Sequence, residues 1–240
     1  MSQNKTFRSH MFREILEQPN AVLHTVLAMH SANAGSNGFD GMDKVVTALQ
    51  SLKRIVIAAS GTSRHAGIAG KQMLESMTTI PVEVEYASEF QHSPALTGPE
   101  TLVMVITQSG ETADTLGSLR KAKAGGATVV AVANVSDSSI MREADARIET
   151  RAGKELAIPS TKAFTAQLAA LFLFSLWVGE QIGTISRGRA HSSVAELLKI
   201  PEKLHQVLES EPRVSEISRT YASVDDFIFA GRGIHYPIAL

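Results

Sequence analysis

Short apolar runs alternate with helix-spaced apolar residues through the middle of the chain. Runs at 54–59, 101–106 and 128–133 are apolar or β-branched apart from Arg54 at the start of the first, which is typical of central strands in a parallel sheet. Residues 81–86 alternate and predict a more exposed strand, and 146–150 predict a weaker fifth strand. Helical patterns lie between the strands, at 65–76, 113–124 and 138–144. This order predicts an α/β fold with a doubly wound, five-stranded parallel sheet.

Extra helices are predicted on both sides of this unit. On the N-terminal side the spacing predicts a helix over 11–30, with Pro19 marking a break or the start of a second helix. A loop at 31–41 and a short helix at 42–52 follow. On the C-terminal side the spacing predicts a helix from an N-cap at Ser160 to about residue 183, then helices at 190–210 and 214–222. The apolar run within the first of these is too short to span a bilayer, so we expect a buried helix.

Hydroxyl-rich turns follow two of the predicted strands. Residues 60–63 and 107–112 come directly after strands, and each turn leads into a helix. The free N–H groups and the dipole of a helix N-terminus favour an anion, and phosphate above all. A Ser/Thr turn is often only a helix cap, but Ser160 begins a third helix of this kind. Three such turns at one edge of one sheet favour a site for a small phosphorylated ligand.

Charge and composition exclude several other classes of protein. A formal net charge of -1 gives no support to binding of nucleic acid or anionic membrane. The chain contains no Cys, which excludes disulfides, a thiolate nucleophile and thiolate metal sites. The glycines at 61–70 fit neither the dinucleotide fingerprint nor the P-loop, and the histidines show no metal-ligand pairing. We expect no cofactor and no metal, and a cytoplasmic location because the N-terminus lacks an apolar signal core.

Three motifs, SGTSRHAG, TQSGETADTL and ELAIPSTKAFTAQL, occur in this order and closely resemble the sugar isomerase (SIS) domain. Within that family they are most similar to the isomerase half of the glutamine–fructose-6-phosphate aminotransferases. The resemblance covers almost the whole chain from Met11. It implies a flavodoxin-like five-stranded parallel sheet, an aldose–ketose phosphate substrate such as fructose-6-phosphate or glucosamine-6-phosphate, and assembly as a homodimer.

The resemblance also implies which residues hold the sugar phosphate. One group matches the first sugar-phosphate turn, a second matches the phosphate-holding loop, and a single residue matches a third turn near the sugar. Thr107 stands where the family usually has Ser, and Pro159 replaces a small residue near the sugar end. The residues expected to bind substrate are Gly61, Thr62 and Ser63 in the first turn, Thr107, Gln108, Ser109 and Thr112 in the loop, and Ser160 in the third turn.

The same comparison predicts four regions: an N-terminal helical segment at 1–52, SIS module 1 at 53–185, a helical linker at 186–225, and the start of a second SIS module at 226–240, opening with a strand at 226–230. No glutaminase domain is expected in this chain. In the family, the Lys, Glu and His of proton transfer follow the segment that matches the last residues here, so no catalytic residue is assigned.

Two functions stay open at the level of sequence. The first is that of an amino-sugar-phosphate isomerase or deaminase, whose phosphate clamp this chain supplies. The second is that of a non-catalytic sugar-phosphate sensor. Glu111 and Glu155 are the carboxylates nearest the motifs. We do not expect either to act as a general base: Glu111 fits a first-turn helix acid better, and Glu155 a capping or interface residue.

Overall fold

The computed structural model describes residues 9–31, 39–94 and 97–240. Within them the strands form a single sheet in the order β1-β6-β5-β4-β2-β3. All neighbours in this sheet are parallel except β1 and β6, which pair antiparallel. The strands are β1 (Phe39–Asp40), β2 (Arg54–Ala59), β3 (Val82–Tyr86), β4 (Thr101–Ile106), β5 (Thr128–Ala133) and β6 (Ala146–Glu149).

The five parallel strands were all predicted, and the sixth was not. The two-residue β1 lies in a stretch that was predicted to be a loop. It was not predicted because two residues are too few to show the alternation of a strand. Without β1, the chain order of the parallel strands corresponds to 2-1-3-4-5, the flavodoxin-like topology. In such sheets the strand order reverses between the first and third strands, here β2 and β4, and ligands bind beyond their carboxyl ends.

Helices cover both faces of the sheet. They are α1 (His10–Ser31), α2 (Met42–Leu49), α3 (Gly61–Met77), α4 (Ala87–Phe90), α5 (Ala113–Ala124), α6 (Ser139–Glu143), α7 (Lys162–Gln181), α8 (Arg187–Leu197), α9 (Ile200–Leu208), α10 (Glu211–Thr220) and α11 (Tyr236–Ala239), with a 3₁₀ turn at Gly233–His235. The predicted helix at 190–210 is therefore two helices. Pro201 lies in the first turn of the second, where its missing N–H costs no hydrogen bond.

Alternate side chains of the central strands supply two separate cores. Ile55, Ile57 and Met104 pack with α1, α3 and α7 on one face, and Val103 and Val129 pack with α5 and α6 on the other. Successive side chains of a strand point to opposite faces, so a continuous apolar run is required wherever both faces are covered. All six residues of β4 are buried, as expected for a strand in the centre of the sheet.

The N-terminal helix continues through Pro19 without a break, contrary to the prediction. Proline has no N–H, so the carbonyl of Ile15, four residues earlier, loses its helical partner. The side-chain amide of Gln18 donates a hydrogen bond to that carbonyl at 3.1 Å instead. Pro19 itself is buried, so the packing of α1 compensates for the lost backbone bond.

The strand predicted at 226–230 is not formed, although the segment is apolar. Phe227, Ile228 and Phe229 are 62%, 95% and 77% exposed, respectively. A strand is stabilised by hydrogen bonds to a neighbouring strand, and in the described residues none lies beside this segment. β-propensity alone is insufficient to form a strand there.

Helix α7 is the most apolar helix of the described residues. The helix is 20 residues long, so it extends beyond the apolar run that was predicted to be too short to span a bilayer, and by length and composition alone it could cross a membrane. Its burial agrees with the prediction, because 67% of its most apolar window is buried inside the protein. Such burial is typical of a core helix.

We predict opposite effects of alanine at two helical glycines. A Cβ at Gly67 on α3 would lie 2.8 Å from Cγ2 of the buried Ile57, so Gly67→Ala is expected to lower the free energy of unfolding. The expected loss is about 1–3 kcal/mol, as for other overpacked cores. Gly188 on α8 has open space around it, so Gly188→Ala is expected to raise that free energy by about 0.5–1 kcal/mol.

Urea unfolding of the two variants and the wild type measures both effects. Equal and small changes in the two variants would show that α3 does not approach β2 as closely as the structure has it.

Candidate functional site

The site is organised by two neighbouring strands. Ala59 at the end of β2 is paired in parallel with Ile106 at the end of β4. The residues that follow these two therefore leave the same edge of the sheet, about 4.8 Å apart at the strands. The chain enters α3 directly after β2 and reaches α5 seven residues after β4. Two helix N-termini thus face the same edge at the point where the strand order reverses.

The first turn is shorter than predicted. Helix α3 begins at Gly61, not near residue 65, with Ser60 as its N-cap in extended conformation. Gly61 has φ +55°, a left-handed conformation that favours glycine. Gly61, Thr62 and Ser63 therefore form the first helical turn, where backbone N–H groups have no partner within the helix. Gly61 and Thr62 are exposed, whereas the side chain of Ser63 is buried.

The second turn is held by its own hydroxyl groups. The Oγ1 atoms of Thr107 and Thr112 lie 3.0 Å apart in a hydrogen bond that spans the turn. Thr107 Oγ1 also accepts from the N–H of Gly110, and Ser109 Oγ accepts from the N–H of Glu111. Since Ser109 accepts in that bond, its hydroxyl hydrogen is available to a ligand. The turn is therefore ordered by contacts that leave donors free.

A glycine is required at the centre of this turn. Gly110 has φ +72°, and a Cβ there would lie 1.9 Å from Oγ of the buried Ser138. The N–H of Ile140 donates to the carbonyl of Gly110 at 3.1 Å, and the N–H of Asn134 donates to the carbonyl of Gln108 at 3.1 Å. These bonds connect the turn to the chain after β5, and they position the backbone of Gln108.

Ser160 does not have the role predicted for it as an N-cap. Thr161 is the N-cap of α7, and neither residue caps the helix with its side chain. Glu155 does so instead: its Oε1 accepts from the N–H of Thr161 at 2.9 Å and from that of Ala163 at 3.2 Å. Ser160 donates its hydroxyl to Oε2 of the same carboxylate at 3.1 Å. The anion-binding end of α7 is therefore occupied by a carboxylate of the chain, in the capping role that the sequence suggested for Glu155.

The loop that carries Glu155 is attached to helix α1. The carboxylate of the fully buried Glu14 accepts from the N–H of Leu156 at 2.6 Å and from that of Ala157 at 3.2 Å. Further along α1, Glu17 forms an ion pair of 2.6 Å with the buried ammonium group of Lys162. These contacts fix the path of the loop and the start of α7.

Glu111 also caps a helix, but a different one from that expected. It precedes α5, yet its carboxylate accepts from the N–H of Ser139, the first residue of α6, at 2.7 Å. This bond, supported by the nearby Arg142, holds the pKa of Glu111 below its ordinary value of 4.5. A carboxylate whose pKa is lowered in this way accepts a proton less readily than a free glutamate does.

The structure brings seven of the eight predicted residues to one edge, in the two turns after β2 and β4. Ser160 differs from them because its hydroxyl is engaged by Glu155. Sequence reasoning missed Gln167 on α7, whose Nε2 donates to Oγ of Ser63 at 3.0 Å. An amide within an apolar helix was the available signal, but nothing in the sequence shows which residue it contacts.

A large cavity lies elsewhere. A groove of about 630 Å³ between α3, α7, α8 and α9 is mainly apolar, with Met73, Leu168 and Leu204 in its lining. None of the predicted site residues lines it. This groove is therefore separate from the candidate site at the strand ends.

These features define an α/β protein of flavodoxin-like topology, with two hydroxyl-rich turns and two helix N-termini at the carboxyl ends of β2 and β4. The family model of the SIS domain matches residues 48–176, which is more than half of the chain. The chain belongs to the SIS domain family. This finding confirms the family that the three motifs indicated and the fold that the family implies.

Curated relatives agree with this assignment. A glutamine–fructose-6-phosphate aminotransferase (isomerizing) from Symbiobacterium thermophilum is 39% identical over 230 residues, or 96% of this chain and 38% of that protein. The enzyme of the same name from Bordetella parapertussis is 40% identical over 235 residues, or 98% of this chain and 38% of that protein. The chain therefore spans well under half the length of the curated relatives it matches.

Solved structures show the same relationship. The C-terminal domain of glucosamine-fructose-6-phosphate aminotransferase from Francisella tularensis superposes with a TM-score of 0.88 at 35% identity, covering 99% of this chain and 66% of that chain. A glucosamine-6-phosphate deaminase from Thermotoga maritima has a TM-score of 0.55 at 18% identity, covering 81% of this chain and 54% of that chain. The second likeness shows the fold alone.

We predict that Glu111 makes stability depend on pH. Its pKa is lower in the folded protein than in the unfolded chain, so its contribution is complete above pH 4.5 and is lost as pH falls through the folded value. Glu111→Gln is therefore expected to lower the melting temperature at neutral pH. The difference in melting temperature between Glu111→Gln and wild type should shrink as the pH falls below 4.5, because the wild-type carboxylate then becomes protonated.

Thermal unfolding measured from about pH 3 to about pH 7, which spans the ordinary pKa of a glutamate, tests this difference. Glu85→Gln is the control, because Glu85 is exposed and its side chain makes no described hydrogen bond. A constant difference for Glu111→Gln across the series would contradict the capping role.

Proposed function

We propose that this chain binds a hexose phosphate at the carboxyl ends of β2 and β4. The observation that carries the proposal is the parallel register of Ala59 with Ile106, because it brings the chain segments that lead into α3 and α5 to the same edge of the sheet. Both helices present unpartnered N–H groups and the positive ends of their dipoles to the same space. A dianionic phosphate is the ligand that such a pair of helix ends favours.

The side chains at this edge suit the same ligand. Ser109 and the pair Thr107–Thr112 retain hydroxyl hydrogens that their internal bonds do not use. Hydrogen bonds to a charged oxygen are roughly twice as strong as neutral ones, so several such donors hold a phosphate without a cluster of basic residues. Gln108 adds an amide beside them.

We further propose that the ligand is fructose-6-phosphate or glucosamine-6-phosphate. The names of the relatives support this substrate class, since the 35% identical structure is that of a glucosamine-fructose-6-phosphate aminotransferase. In an isomerase, aminotransferase or deaminase of this kind, the chain would serve as the phosphate clamp that orients the sugar for proton transfer. A cytoplasmic location and assembly as a homodimer belong to the same proposal, and the exposed side chains of Phe227 and Phe229 are compatible with self-association.

A second candidate is a sugar-phosphate sensor that binds without turnover. One observation favours it: the two carboxylates nearest the motifs are both engaged as helix caps. Glu111 accepts from the N–H of Ser139, and Glu155 accepts from two N–H groups at the start of α7, one of them that of its N-cap Thr161. Under this proposal the 240-residue chain binds glucosamine-6-phosphate without releasing ammonia, and measurable ammonia release would contradict it.

We predict binding that requires the phosphate group. Fructose-6-phosphate or glucosamine-6-phosphate at millimolar concentration is expected to raise the melting temperature, because a ligand that binds only the folded state stabilises it. Fructose and glucosamine should have no effect at the same concentration. Ser109→Ala is expected to weaken binding of the phosphorylated sugar by about 1.5 kcal/mol, the contribution of one hydrogen bond to a charged group.

The matched control is Ser218→Ala, since Ser218 is exposed on α10 and its hydroxyl donates only to the carbonyl of Ser215. This variant should bind as wild type does. No shift of the melting temperature with either sugar phosphate, or equal shifts with the unphosphorylated sugars, would rule out the proposed site.

A further inference from the structure

A buried amide of helix α7 contacts the phosphate-facing turn of α3. Gln167 is 2% exposed, and its Nε2 donates to Oγ of Ser63 at 3.0 Å. Ser63 is itself 8% exposed and lies in the first turn of α3. The two residues are 104 positions apart in sequence, so only the packing of α7 against α3 brings them together.

The direction of this hydrogen bond determines what Ser63 can do. A serine hydroxyl has one hydrogen to donate and two lone pairs to accept with. Because Ser63 Oγ accepts from Gln167, its hydrogen is not used in this contact. No described residue accepts that hydrogen, so it is available to a ligand oxygen above the N-terminus of α3.

The remaining polar atom of Gln167 has no partner. Its Oε1 is buried and makes no hydrogen bond within the described part of the chain. A buried carbonyl without a partner is destabilising, and an apolar side chain of the same shape would avoid that cost. The contact with Ser63 is the one described hydrogen bond of the amide, so folding stability gives little reason for a glutamine at this position.

We propose that Gln167 is a positioning residue that fixes the hydroxyl of Ser63 as a hydrogen-bond donor to the phosphate group of the ligand. This inference rests on the proposed function, since it requires an anion at the N-terminus of α3. Gln167 does not touch the ligand; it acts through Ser63. Its effect on affinity is therefore present only when Ser63 is present.

A double-mutant cycle tests this dependence. The chain is prepared as wild type, Ser63→Ala, Gln167→Met and the double variant, and each is titrated calorimetrically with fructose-6-phosphate and with inorganic phosphate. Ser63→Ala is expected to weaken binding about tenfold, as for the loss of one hydrogen bond to a charged group. Gln167→Met should weaken binding about threefold to tenfold in the wild-type background, and by less than twofold when Ser63 is already Ala.

The melting temperature is a second measurement that distinguishes a positioning role from a merely structural one. If Gln167 had only a structural role, its replacement would lower the melting temperature. Methionine removes the unpartnered carbonyl, so Gln167→Met is expected to keep or raise the melting temperature while it lowers affinity. The control is Gln181→Met, at the exposed C-terminal residue of the same helix, which should change neither affinity nor binding stoichiometry.

The outcomes separate this inference from the proposed function. If wild type binds neither phosphate compound, both are overturned. If wild type binds but Gln167→Met binds equally well, or weakens binding to the same extent in the Ser63→Ala background, the role of Gln167 alone is overturned. Tighter binding by Gln167→Met would show that Ser63 donates to Gln167, and would also overturn it.

Discussion

The parallel pairing of β2 with β4 is the constraint on which the rest of the site depends. Because Ala59 is opposite Ile106, the two strands end at the same level and their helices start from the same edge. The apolar side chains of both strands are buried on both faces, so a shift of register would move buried residues to the wrong core. The packing of the core therefore sets the positions of the hydroxyl turns.

Four helices begin near this edge, and two of their N-termini are occupied from within. Glu111 bonds to the first residue of α6, and Glu155 bonds to the start of α7. The N-termini of α3 and α5 have no such carboxylate among their described hydrogen bonds. The first turn of α3 has no acidic residue, and Asp114 in the first turn of α5 accepts from the amide of Gln91. An added anion therefore finds uncapped N–H groups at α3 and α5, whereas a carboxylate of the chain already occupies those of the other two helices.

Helix α1 contributes to the site without being part of it. The buried carboxylate of Glu14 and the ion pair between Glu17 and Lys162 hold the loop from β6 to α7. The same loop carries Glu155, so the helix before the sheet determines how α7 begins. Through α7 this arrangement extends to Gln167 and Ser63, which connects the N-terminal segment to the first turn of α3.

The sequence by itself determined the parallel strands, the two hydroxyl turns and the family, because continuous apolar runs and long motifs are local patterns. Prediction from the sequence failed where the structure of a segment depends on contacts with other residues. The apolar segment at 226–230 is no strand because the described residues supply no partner, and α1 passes Pro19 because Gln18 replaces the lost bond. Only the tertiary structure decided which residue occupies each helix N-terminus. At α7 that residue is Glu155 and not Ser160, because the path of the loop brings the carboxylate to the start of the helix. Gln167 contacts Ser63 because α7 packs against α3, and no local sequence pattern shows this contact.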